Sequence, residues 1–173
     1  IIKQFITDVE WGELDYLLID LPPGTGDAPL TMAQTLPITG VLTVTTPQDV
    51  AMNVAIKSIG MFNKLNIPIL GVVENMSYLV CPHCGENTYI FGKGGGQKIS
   101  EKFNVPFLGE IPLHPLIREG SDLGRPVTLV EPDSLASLAF GKISRLVAGR
   151  ISVIAATVKD NDLAEKASTT PME

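Results

Sequence analysis

Four short apolar runs recur along this chain, and they constrain its fold more than any other feature. They are "DYLLIDL" (15–21), "GVLTVTTP" (40–47), "IPILGVVENMS" (67–77) and "VPFLGEIP" (105–112). Runs this short, with little polar alternation, suit strands covered on both faces, as in a parallel sheet. Helical periodicity lies between them. In 50–65, Met52, Ala55, Ile56, Ile59 and Phe62 give one apolar face. "QKISEKF" (97–103) is a shorter candidate. The last helix carries Leu135, Leu138, Ala139, Ile143, Leu146, Val147 and Ile151 on one stripe, with Pro132 and Ser134 at its start. Strands alternating with helices imply an α/β fold, a doubly wound, mostly parallel sheet flanked by helices.

At 173 residues the chain can bury a sizeable core as one domain, expected over 1–158, with a polar flexible tail over 159–173. Apolar residues make up 45% and charged residues 18%, a globular rather than disordered balance. A net charge of −6 argues against nucleic acid as the main partner. No apolar run approaches the ~20 residues that cross a bilayer; the best candidate, 135–156, is broken by Lys142, Arg145 and Arg150. The opening "IIKQFITDVEW" lacks Met and a secretory leader and reads as the middle of a helix, as if a front part lay upstream. Two cysteines, Cys81 and Cys84, are too few to staple a domain, so a reducing cytoplasm is expected.

In open parallel sheets ligands bind at the carboxyl ends of the strands. The first run leads through Asp20 into "DLPPGTGD" (20–27). An acid there can orient Mg²⁺ and its waters, while Gly24 and Gly26 let the backbone approach a phosphate and Pro22 and Pro23 stiffen the loop. An ordinary strand-to-helix turn is the plainer alternative for Asp20, as helix capping by Thr46 or Asp49 is for "TTPQDVA" (45–51). Asn75, at the end of the third run, can donate and accept at once. That suits the edge of adenine, and it also suits a turn.

"CPHCGE" (81–86) places two thiols at i and i+3, half of the usual four ligands of a zinc or iron–sulfur site. With no other cysteine in the chain, the remaining two would come from a second copy across a two-fold interface. His83, inside the chelate loop, is expected to point away. The spacing does not separate zinc from iron–sulfur. A redox dithiol of the thioredoxin type is a further alternative, but it needs the first Cys at a helix start, and "ENTYIF" follows without helical periodicity.

"FGKGGGQKIS" (91–100) resembles a phosphate loop at first sight. However, Gln97 stands where such a loop of the deviant type needs glycine, and Ile99 where it needs a Mg²⁺-binding hydroxyl. A flexible turn leading a metal hairpin (78–96) into the next helix is the expected role.

Taken in order, "WGELDYLLIDLPPGTGD", "TTPQDVA", "GVVENMS", "CPHCG", "FGKGGG", "VPFLGEIPL" and "IREGSDLGRPV" closely resemble the Mrp/ApbC family of deviant P-loop ATPases, over roughly 5–150. The resemblance implies a P-loop NTPase-like fold and a homodimeric carrier that assembles iron–sulfur clusters and passes them to apo iron–sulfur proteins. It implies that Cys81 and Cys84 hold a bridging [4Fe–4S] cluster. Asp20 matches the Walker B acid serving Mg²⁺, and Gly24 lies in the switch loop sensing the γ-phosphate of ATP. Asn75 matches the adenine-reading residue, with Ile111, Pro112 and Leu113 beside the base. The family's phosphate loop has no counterpart here, so this chain by itself is expected not to hydrolyse ATP. A positioning ATPase like the family's septum-site relatives and a thiol oxidoreductase are the alternative functions.

Overall fold

The computed structural model of the chain describes residues 2–168. In chain order the elements are α1 (Ile2–Thr7), α2 (Asp27–Thr35), β1 (Val41–Thr45), α3 (Asp49–Lys64), β2 (Ile69–Glu74), β3 (Leu79–Val80), β4 (Asn87–Thr88), α4 (Gly95–Phe103), β5 (Phe107–Glu110), α5 (Pro115–Asp122), α6 (Val127–Val130) and α7 (Leu135–Ser168). β1, β2 and β5 form a parallel sheet in the order β1-β2-β5, and β3 and β4 pair as an antiparallel hairpin. The expected parallel sheet flanked by helices is therefore what forms.

The central strand shows why its sequence is apolar throughout. Every residue of β2 is buried. Val72 joins a cluster with Ala55, Ile59 and Phe62 of α3 and Ile99 of α4. Its neighbour Val73 joins a second cluster with Leu108, Ile111 and Ile143 of α7. Successive strand residues face opposite sides of a sheet, so α3 and α4 cover one face and α7 the other. Burying one such Val or Ile contributes roughly 1.5–3 kcal/mol.

Local signals set most boundaries. Ser134 Oγ accepts from the Ser137 amide at 3.2 Å, capping the start of α7. α3, by contrast, begins at Asp49 after Gln48 with no side-chain cap, so neither Thr46 nor Asp49 fills the expected role. α7 stays helical through Ser168, past the point where the polar tail was expected to begin; 169–173 lie outside the described residues.

One strand expectation is overturned. Residues 15–21 pair with nothing in the sheet and have no regular structure. Leu18 is 85% exposed, and Tyr16, Leu17 and Ile19 are exposed as well. Leu21 alone of this run packs against the α3-side core among the described residues. An apolar run supplies strand propensity, but a strand exists only through a neighbour's hydrogen bonds. The side of β1 away from β2 offers no partner among the described residues, and Leu42 and Val44 of β1 are exposed too.

Candidate metal and nucleotide site

Register brings the strand ends together: Thr45 of β1 pairs with Glu74 of β2, and Glu74 with Glu110 of β5. Immediately beyond that edge, Asn75 donates its backbone N–H to Thr45 O at 2.7 Å, and its side-chain Oδ1 accepts from Met76 N at 2.9 Å. Met76 takes a left-handed conformation, φ 53°. The turn reading of Asn75 is thus realised.

The segment after β5 is zipped to the same edge. Ile111 N donates to Glu74 O (2.8 Å), Ser77 N to Ile111 O (3.0 Å) and Leu113 N to Tyr78 O (2.7 Å). Ile111 and Pro112 are buried and Leu113 is half-buried. Asn75 and residues 111–113 are therefore neighbours. Asp20 stands apart from this arrangement. It is exposed in the unpaired 15–21 stretch rather than at a strand mouth. Gly24 has φ +93°, a turn conformation that favours glycine, and its carbonyl accepts from Ser58 Oγ of α3 at 3.1 Å.

The thiol pair rises from the same edge on the β3–β4 hairpin, paired Leu79↔Thr88 and Val80↔Asn87. At its tip Cys81 N donates to Glu86 O and Gly85 N to Cys81 O, both at 2.9 Å, with Gly85 at φ +76°. This tight turn aims amides at the Cys81 sulfur. The Cys84 N–H foremost, then the His83 N–H and the Cys84 thiol, hold the Cys81 thiol below its ordinary value, against a small opposing effect of burial. Backbone donors that favour thiolate also suit thiolate ligation. Cys81 is half-buried; Cys84 and His83 are exposed. Tyr78 and Tyr89 brace the stem with ring centroids 6.5 Å apart, and Lys93 Nζ lies 4.6 Å over the Tyr89 ring.

In the metal-free protein, alkylation of Cys81 should rise with pH and reach half its maximal rate at a lower pH than the same cysteine in the unfolded chain. Mass spectrometry of the labelled peptide measures it. A midpoint at or above that of the unfolded chain would show that the amides do not face the sulfur.

Both cysteines are free, and they sit in a hairpin turn, not at a helix start. The geometry that a thioredoxin-type dithiol requires is therefore missing. Among the described residues no group of three or more His, Cys, Asp or Glu could hold a metal ion.

The glycine run has a packing role. Gly94 caps α4 in the left-handed region, φ 73°. A Cβ on Gly95 would lie 2.9 Å from Pro47 Cα and 2.6 Å from Met52 Sδ; one on Gly96 would lie 3.0 Å from Glu74 Cβ and from the Phe107 ring. The amide of Gly96, at the N-terminus of α4, is taken by Glu74 Oε2 at 2.6 Å. An internal carboxylate thus occupies the place where a phosphate would bind. The turn is tightly packed, not the loose connector expected. Gly95→Ala should cost about 1–3 kcal/mol by overpacking and leave nucleotide affinity unchanged; urea unfolding and ADP titration measure the two. Lost affinity with unchanged stability would restore the phosphate-loop reading.

A parallel sheet covered by helices on both faces is the α/β architecture of the P-loop NTPase class, with Asn75 and residues 111–113 gathered at its carboxyl edge. The model of the ParA family, described as NUBPL iron-transfer P-loop NTPase, matches residues 1–148. The chain is 46% identical over 153 residues to the iron–sulfur cluster transfer protein NUBPL of Dictyostelium discoideum, covering 88% of this chain and 47% of that protein. It is 52% identical over 152 residues to the iron–sulfur cluster carrier protein of Deinococcus radiodurans, covering 88% and 43%. Among solved structures it resembles an Archaeoglobus fulgidus nucleotide-binding protein in complex with ADP, in which cobalt was found (TM-score 0.66, 47% identity, 77% of this chain and 54% of that one). It also resembles the cell division ATPase MinD of Pyrococcus furiosus (TM-score 0.61, 26% identity, 88% and 57%). The chain belongs to the NUBPL and Mrp/ApbC family of iron–sulfur cluster carrier and transfer P-loop NTPases. It spans about half the length of the curated relatives it matches.

Proposed function

We propose that this chain is the cluster-bearing part of a carrier that holds a [4Fe–4S] cluster between two copies of itself and delivers it to apo iron–sulfur proteins. The carrying observation is the hairpin tip: a pair of neighbouring thiols, with backbone amides drawing Cys81 toward thiolate, reachable from outside and short of two ligands. A second copy supplies the missing pair with the same geometry, because a two-fold interface presents identical surfaces to each other. The cluster is cargo, so an exposed site suits its transfer better than an enclosed one.

ATP control is the second part of the proposal. Asn75 would meet the adenine, with Ile111, Pro112 and Leu113 beside it. The ADP-bound relative of the same fold supports nucleotide binding. Asp20 would orient Mg²⁺ and Gly24 would follow the γ-phosphate once the 15–21 stretch gains a strand neighbour. Nucleotide-driven motion of that loop would reach α3 through the Ser58 contact. The setting is a reducing cytoplasm; among the described residues, no helix is long and apolar enough to cross a membrane.

Anaerobic reconstitution of the intact protein with iron and sulfide, followed by incubation with an apo [4Fe–4S] dehydratase, tests the reading. The expected result is about four iron atoms per dimer and recovery of dehydratase activity on transfer. A colourless monomer holding only stoichiometric zinc would overturn it.

A further inference from the structure

Glu74 is the one charged residue within the three parallel strands whose side chain is wholly buried, at 0% exposure. Each of its carboxylate oxygens is engaged. Oε1 accepts from Ser77 Oγ at 2.6 Å, and Oε2 accepts from Gly96 N at 2.6 Å. Ser77 is also fully buried. The two donors stand at opposite ends of one excursion, residues 78–95, whose tip carries Cys81 and Cys84. A single carboxylate therefore ties together the chain entering the hairpin and the chain leaving it.

The sequence is built to permit this. Gly96 belongs to the first turn of α4, where amides lack partners within the helix and a negative charge is favoured. A side chain at that position would press on Glu74 Cβ and on Phe107. The backbone of Glu74 faces the nucleotide edge at the same time: its carbonyl accepts from Ile111, and Asn75 follows it directly. Buried charged hydrogen bonds are costly to break, because the group left behind is desolvated and unpaired.

We propose that Glu74 is a positioning residue, a clasp that closes the base of the cysteine hairpin and sets the thiol pair at a fixed place relative to the strand ends bearing Asn75 and Ile111. The inference rests on the hairpin being the cluster site. It adds that cluster retention depends on a carboxylate that touches neither the cluster nor the nucleotide.

Hydrogen exchange on the metal-free intact protein tests the clasp, alongside cluster half-life after reconstitution. Glu74→Leu removes both arms. Ser77→Ala removes only the arm on the entering chain. Glu74→Gln keeps the shape: its amide can accept from Gly96 and donate to Ser77. Expected in Glu74→Leu is exchange about tenfold faster or more across 78–95, with β1, β2 and β5 still protected and a shortened cluster half-life. Ser77→Ala should show a smaller effect of the same kind, and Glu74→Gln should recover most of the protection. Unchanged hairpin exchange in Glu74→Leu and Ser77→Ala would overturn the proposal, as would equal loss of protection in hairpin and sheet. Should Glu74→Leu not fold, Ser77→Ala decides alone. If the parent protein takes up no iron, the carrier reading falls, while the exchange comparison still judges the clasp.

Discussion

Replacing Cys81 by alanine should abolish cluster binding: iron in the reconstituted protein should fall from about four atoms per dimer to near none. The size of the effect follows from symmetry. One substitution in the chain deletes two of the four ligands of a bridging site, one from each copy. A pair of thiolates left on an exposed surface cannot hold the cluster against water and competing thiols. Cys84→Ala should behave identically. His83→Ala should leave the iron content unchanged, because that exposed ring lies within the chelate loop and is not counted among the ligands. Iron and acid-labile sulfide assays with analytical ultracentrifugation measure all three, and the double-cysteine variant should also lose the cluster-dependent dimer. Retention of iron by the Cys81→Ala protein would move the cluster elsewhere and end the carrier assignment for this hairpin.

Gly71→Ala should be the most damaging small substitution in the sheet, costing about 3 kcal/mol. Gly71 lies in the central strand β2 at φ +155°, a conformation that L side chains rarely adopt. A Cβ there would come within 2.8 Å of Pro106 O and 2.6 Å of Leu108 Cγ. The carbonyl is backbone and accepts the Val72 amide at 2.9 Å, so it cannot retreat without breaking the β2–β5 ladder. Gly60→Ala is the natural contrast. It sits inside α3 with open space around it, where alanine should stabilise by roughly 0.5–1 kcal/mol. Urea midpoints at constant m-value compare the two. Equal effects from both would show that close strand approach does not govern this sheet.

These particulars separate what was legible in the sequence from what was not. β1, β2 and β5 were readable as short apolar runs, although only β2 is buried along its whole length, and α3 because its apolar stripe repeats at helical spacing. The hairpin around Cys81 and Cys84 was readable from Gly85 and the loss of helical period. The clasp was not. Glu74 stands in "GVVENMS" as one acid at the end of a buried strand, and no local pattern tells that its partners are Ser77 and an amide in a glycine run on the far side of the cysteines. For "KGGG" the sequence favours a flexible turn over a phosphate loop, but its packing was not legible: Pro47, Met52, Phe107 and Glu74 occupy the space that side chains on Gly95 and Gly96 would need.

From the order of its residues alone, this chain had its class of fold and its close thiol pair within reach, because periodicity and spacing are properties of neighbours in sequence, and its family through the resemblance of an ordered set of motifs. Only the tertiary structure decided three further matters. It showed that the apolar stretch 15–21 is no strand, since a ladder needs a second backbone to bond with. It placed Asn75 beside residues 111–113, since parallel register aligns the ends of distant strands. And it gave the glycines to packing around a buried carboxylate, since a close approach is a relation between atoms far apart in the chain.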